Sequence, residues 1–94
     1  MQNATIRPKA RTDLSARVVK GETVVLDRDS QQVHQLNETA SHVWALCDGS
    51  LTEFEIASSM AETFDVEPAQ AQRDVKTLVA QFRSLGLLGP ERQA

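Results

Sequence analysis

Up to Leu36 this chain reads as strands and turns, and from Asn37 onward it reads as helices. That single change of pattern points to an α+β domain. The stretch "ARVVKGETVVLDRDSQQVHQL" has the form strand, turn, strand, turn, strand. Gly21 suits the first turn, and "TVVL" (residues 23–26) is β-branched and apolar, as strands are. "DRDSQ" (27–31) is polar and suits a hairpin connection. "QVHQL" alternates, with Val33 and Gln35 on one face and His34 and Leu36 on the other.

Asn37 then has the right side chain to cap a helix over about residues 38–47. Its apolar stripe is Ala40, Val43, Trp44 and Cys47, and Gly49 lies just past its end. "LTEFEI" opens the next helix. Thr52 is its N-cap, Glu55 completes a capping box, and Leu51 and Ile56 stand at the positions of a hydrophobic staple. This second helix runs to about residue 63 and is expected to bury Ile56, Ala57, Met60 and Ala61. Pro68 opens a third helix at a position where its missing N–H costs nothing. Ala71, Val75, Leu78, Phe82 and Leu85 are expected to face inward, and Gly86 ends the helix. Three strands followed by three helices predict an α+β fold: a small winged-helix-like domain with a three-stranded antiparallel sheet.

The 94 residues suit one small domain. Residues 1–15 are expected to be a flexible lead-in, with Pro8 opposing an early helix. Residues 16–88 form the domain, and residues 89–94 are expected to fray. With three Phe, one Trp and no Tyr, the core is mostly aliphatic and has little room for a deep substrate cavity. An enzyme acting alone is therefore not expected. No apolar run is long enough to span a membrane and no signal-peptide pattern is present. The one cysteine cannot form an internal disulfide, so the cytoplasm is the expected compartment. Net charge is -3, unevenly spread. Arg7, Lys9, Arg11, Arg17 and Lys20 face only Asp13 in residues 1–20, whereas in residues 21–67 Arg28 stands alone among many carboxylates. That acidic middle opposes a large nucleic-acid footprint.

The segment "QLNETASHVWALCDG" (35–49) concentrates groups that could do chemistry. His34, His42 and Cys47 lack the spacing of a shared metal site, and no CxxC or HExxH pattern occurs. Cys47 falls in a last helical turn, where the dipole works against a thiolate. Asp48 suits a turn before Gly49, and Ser58 and Ser59 have no base at usable spacing. No Gly-rich phosphate cradle is present. No catalytic set emerges and no cofactor or metal is expected.

Two binding classes remain. Arg73, Lys76 and Arg83 on the third helix could serve a winged-helix DNA-binding regulator, though the acidic middle would repel phosphate. Alternatively the sheet's open edge at "QVHQL" could receive an added peptide strand through its backbone. The same edge could pair with a second copy, giving a homodimer, and an accessory subunit that binds its enzyme without binding peptide is a further alternative.

The span "LNETASHVWALCDGSLTEFEIASSMAETFDVEPAQAQRDVKTLVAQFRSLGLL" resembles the PQQ-synthesis protein D family, also called RiPP recognition elements. The likeness is carried by Leu36-Asn37, Thr39-Ala40, Asp48-Gly49, Thr52, Ile56, Asp74-Val75 and "GLL" at 86–88, and covers about residues 16–88. It implies a noncatalytic chaperone that binds the leader of a ribosomally made precursor peptide and presents it to a modifying enzyme. In PQQ biosynthesis that partner is a radical SAM enzyme, which carries the iron–sulfur clusters. The resemblance further implies that the leader adds beside the third strand, against the third helix. Carried onto this sequence, the strand supplies Gln32, Val33, His34, Gln35 and Leu36. The helix supplies Arg73, Lys76, Val79, Ala80 and Arg83. Proteins dedicated to PQQ often have a "PE" pair in the turn before the third strand. Here that turn reads "DRDSQQ", which is similar to the broader family, including leader-binding subunits of lasso-peptide systems.

Overall fold

A computed structural model describes residues 6–89 and the backbone of residues 92–93. In chain order the elements are β1 (Ile6–Arg7), β2 (Ser15–Val19), β3 (Glu22–Asp27) and β4 (Gln32–Leu36). Helices α1 (Glu38–Leu46), α2 (Glu53–Phe64) and α3 (Pro68–Ser84) follow, then β5 (Arg92–Gln93). The main sheet is antiparallel in the order β2-β3-β4, so the expected three strands and three helices are present. β1 and β5 form a separate antiparallel pair.

The β2–β3 turn has both central residues at positive φ, Lys20 at 54° and Gly21 at 80°. This geometry matches the right-handed twist of a hairpin. It also sets the phase of the sheet. Val19 and Glu22 close the turn as partners, so the backbone groups of Thr23 point the other way, toward β4. Ser41 of α1 enters the ladder there: Thr23 N–H donates to Ser41 Oγ (2.8 Å), and Ser41 Oγ–H donates to the Leu36 carbonyl (3.1 Å). This buried hydroxyl fixes the angle at which α1 leaves the sheet.

The helix starts follow their local chemistry. Asn37 Oδ1 accepts from Ala40 N–H at 2.9 Å. The Thr52–Glu55 box is complete, with Thr52 N–H donating to Glu55 Oε1 (2.9 Å) and Glu55 N–H donating to Thr52 Oγ1 (3.2 Å). Thr52→Ala removes one side of that box. It should lower unfolding stability by about 0.5–2 kcal/mol, read as a shift of the urea midpoint at unchanged slope. An unchanged midpoint would show that the box contributes nothing.

The core joins Val25 and Leu36 of the sheet to Val43, Trp44, Cys47, Ile56, Met60, Ala71, Val75, Val79, Phe82 and Leu87. Trp44 and Phe82 meet edge to face with centroids 5.5 Å apart, a favoured aromatic arrangement.

Four of the expectations for the fold differ from the structure. Leu85 does not face inward and is 48% exposed. It caps α3, Gly86 follows at φ +75°, and the reversal gives the buried position to Leu87. Ala61 is only partly buried. The described part of the lead-in is also not loose. Pro8 is fully buried, Ala10 N–H donates to the Cys47 carbonyl (2.8 Å), and Arg11 N–H donates to the Leu87 carbonyl (3.0 Å). Gly89, where fraying was expected to begin, donates its N–H to the Lys9 carbonyl at 2.7 Å. Residues 1–5, 90, 91 and 94 of those two segments lie outside the described residues.

Candidate functional site

β4 is an edge strand, and the phase of the sheet determines which of its backbone groups are open. β4 pairs Leu36 with Thr23, His34 with Val25 and Gln32 with Asp27. Those three β4 residues therefore turn their N–H and C=O groups toward β3, and Val33 and Gln35 turn theirs to the open edge. Side chains alternate in the same register. Leu36 is buried and His34 half-buried on the helix side, while Val33 (65% exposed) and Gln35 lie on the outer face. Gln35 Nε2–H donates to Glu22 Oε1 at 3.0 Å across that face.

His34 brings a second feature. Its Nε2 is shielded from solvent and has no hydrogen-bond partner among the described residues. An unsatisfied buried polar atom costs about 1–3 kcal/mol, so this strand holds a polar group that a docked molecule could relieve.

Arg11 ties the end of α3 to this strand's corner. One guanidinium nitrogen, Nη1, donates both to Asp27 Oδ2 (2.9 Å) and to the Gly86 carbonyl (3.0 Å). Asp27 is the register partner of Gln32, so Arg11 links the turn after α3 to the β3 residue that pairs with the start of β4. Asp27 is 4% exposed, and its carboxylate also accepts from Asp29 N–H at 3.1 Å. The hydrogen bond from Arg11 outweighs desolvation and holds the Asp27 carboxyl below its ordinary value. Arg11 does the same to Asp13. The sign follows directly: a depressed folded-state pKa contributes stability that is complete above the unfolded-state value, near 3.8, and is lost as pH falls below it. Asp27→Asn should flatten the acid limb of the stability-versus-pH curve below about pH 4. An acid limb identical to that of the unsubstituted protein would rule the linkage out.

The residues expected on α3 are not all in one place. Val79 is 0% exposed, inside the core, so its side chain is not open to a ligand. With 100° between successive residues, Arg73 and Ala80 lie on the side of α3 opposite its buried stripe. Both are exposed, and Arg73 Nη2–H donates to Gln70 Oε1 at 2.8 Å. Arg73 and Lys76 border a concavity of about 390 Å³ that also takes in Phe54 and Glu53 at the start of α2. They therefore belong to the α2 side. Arg83 lies on the same flank by the helical angle. The flank turned away from α2 carries Leu78, Gln81 and Leu85. Leu78 is partly buried against the core, and its neighbours on that strip are exposed. The sequence reading placed Leu78 and Leu85 in the inward stripe and did not single out Gln81; the i, i+3, i+7 spacing is the signal that joins the three, and the position of α2 identifies them as the flank turned away from it.

Residues 22–88 match the family described as coenzyme PQQ synthesis protein D (PqqD). The chain belongs to the PqqD family. Two solved structures share its fold. "TbiB1 in Complex with the TbiA(beta) Leader Peptide" superposes with a TM-score of 0.77 at 19% identity, over 85% of this chain and 93% of that one. "Lasso peptide synthetase B1 complexed with the leader peptide" gives a TM-score of 0.76 at 26% identity, over 93% of this chain and 100% of that one. No curated protein sequence matches significantly. In this chain the sheet precedes the helices and leaves one side of β4 unpaired. Among the described residues no three or more His, Cys, Asp or Glu side chains gather as a metal site, and no helix is long and apolar enough to cross a membrane.

Proposed function

We propose that this chain is a leader-peptide recognition protein. It binds the leader of a ribosomally made precursor peptide as a fourth strand on β4 and presents the remainder to a modifying enzyme, in PQQ biosynthesis or a related peptide-maturation pathway. The carrying observation is the open edge of β4, where Val33 and Gln35 direct two N–H and two C=O groups outward. The two structural relatives were each solved with a leader peptide, which supports the same class of ligand here.

Backbone pairing supplies affinity that depends little on sequence, and side-chain pockets supply selectivity. On the helix side of β4 the reading groups are Gln32 and the unpartnered His34. Facing them we place the free flank of α3, with Leu78, Gln81 and Leu85. Leu36 and Val79 support this groove from within the core. Arg73, Lys76 and Arg83, on the α2 side, act on an acidic leader through their field, so their charge reversal should change association rate and salt dependence more than dissociation. The protein does no chemistry in this scheme; the modifying enzyme does, a radical SAM enzyme in the PQQ case.

Amide chemical-shift mapping tests the reading. Titration of the isotope-labelled chain with its synthetic leader should move residues 32–36 together with 78, 81 and 85 as one patch. Shifts confined to the Phe54–Arg73–Lys76 concavity, or tight duplex DNA binding without leader binding, would refute it.

A further inference from the structure

The sheet has a second open edge, on β2, which leader binding on β4 leaves unused. We propose that β2 is a second strand-receiving surface, for an extended segment of a partner protein that alternates apolar side chains toward the helices with acidic side chains toward solvent. This inference does not depend on what β4 binds.

All five β2 residues are exposed, Val18 at 68% and Val19 at 50%. Ala16 and Val18 pair with the buried Val25 and Thr23, so their side chains are on the sheet's helix side, yet no helix covers them. They border a concavity of about 680 Å³ whose other wall includes Trp44 and Phe64. That wall is held in place. His42 meets Phe64 edge to face at 5.3 Å, and its Nε2 is 3.1 Å from Ser59 Oγ. A rigid apolar wall loses little freedom on binding.

The backbone phase coincides with this concavity. Val19 and Arg17 direct their N–H and C=O groups to β3, so Ala16 and Val18 direct theirs to the open edge. The residues that offer hydrogen bonds are thus the ones whose side chains border the apolar hollow. A strand added here would alternate between that hollow and the outer face beside Arg17.

Charge decides the occupant. Arg17 and Lys20 are exposed and make no ion pair among the described residues. Glu38 borders the hollow on the helix side, near Gly21, so the acidic positions belong on the outer face. A second copy paired antiparallel through β2 about a two-fold axis at Arg17 would set the two Arg17 side chains directly opposite each other, a like-charge arrangement that opposes pairing. An acidic strand satisfies the same groups.

The test uses the isotope-labelled full chain and a synthetic peptide alternating valine and glutamate with one central phenylalanine, beside its lysine-for-glutamate counterpart. The acidic peptide should shift the amides of 15–19 and the Trp44 indole. It should bind about ten-fold or more tightly than the lysine peptide at low salt, with the gap narrowing as salt rises. Arg17→Glu should reverse the preference. Val18→Pro, which removes an edge N–H and no ladder bond, should abolish binding while the 32–36 amides keep their positions. Equal binding of both peptides, no shift on β2, or shifts on 32–36 instead would overturn the proposal. So would self-association by sedimentation that Val18→Pro abolishes, which would assign the edge to a second copy. Leader titration followed at 32–36 reports separately on β4.

Discussion

Val79→Asp should unfold the domain, and any loss of peptide binding should follow from that. Val79 is 0% exposed, in the core cluster that also holds Val25, Val75 and Phe82. An aspartate there loses the burial of a valine, about 1.5–3 kcal/mol. It also leaves an uncompensated charge in the core, at about 3–5 kcal/mol. Small domains have only about 5–15 kcal/mol in total, so most or all of the stability is consumed. Circular dichroism should show no cooperative transition, or one near the bottom of the denaturant range. Ala80→Asp is the control. The next residue on the same helix is exposed, and its substitution should move the midpoint by no more than about 0.5 kcal/mol. A V79D protein with a native midpoint but no leader binding would return Val79 to the peptide groove.

The largest functional effect is expected from Val33→Pro. Val33 sits mid-strand in β4 with its N–H on the open edge, so proline there removes no bond to β3, and an edge of this kind tolerates it. Gln32 before it is already extended, the conformation that a following proline favours. Leader binding by strand addition loses one backbone hydrogen bond, and a leader carbonyl is left unsatisfied. Together these cost about 2–4 kcal/mol, or between roughly 30- and 1,000-fold in affinity. Fluorescence polarisation with labelled leader measures the loss, and the unfolding midpoint confirms that the fold is retained. His34→Pro differs by one residue and should behave in the opposite way: it removes a ladder donor to β3 and should destabilise the sheet itself. If V33P stays folded and binds leader at the original affinity, the leader does not add to β4.

These two substitutions separate local information from global information in this chain. Local bonding rules were legible in the residues alone. Asn37 capping α1, the Thr52–Glu55 box, the Lys20–Gly21 hairpin turn and the alternation of "QVHQL" each involve partners a few positions apart. Their side-chain chemistry therefore carries its own structural consequence. The order of three strands and three helices followed from the same periodicities, and the family resemblance rested on the same stretches.

Tertiary structure decided what lies at the margins and what spans the chain. On α3 a buried stripe widens or narrows according to its neighbours. Val79 and Leu85 both border the stripe, and the helical pattern cannot rank them; the core encloses Val79 and the turn at Gly86 exposes Leu85. The same placement of α2 drew Arg73 and Lys76 to the far flank and left Leu78, Gln81 and Leu85 free. Arg11 reaches Asp27 across 16 positions and Gly86 across 75. No local pattern marks such a link, because its geometry exists only once the sheet, α3 and the lead-in have met. The sequence by itself therefore determined which segments could be strands and helices and that the strand "QVHQL" could offer an open edge. Packing determined which side chains stand beside that edge, because burial depends on every surface a residue meets and not on its own helix or strand alone.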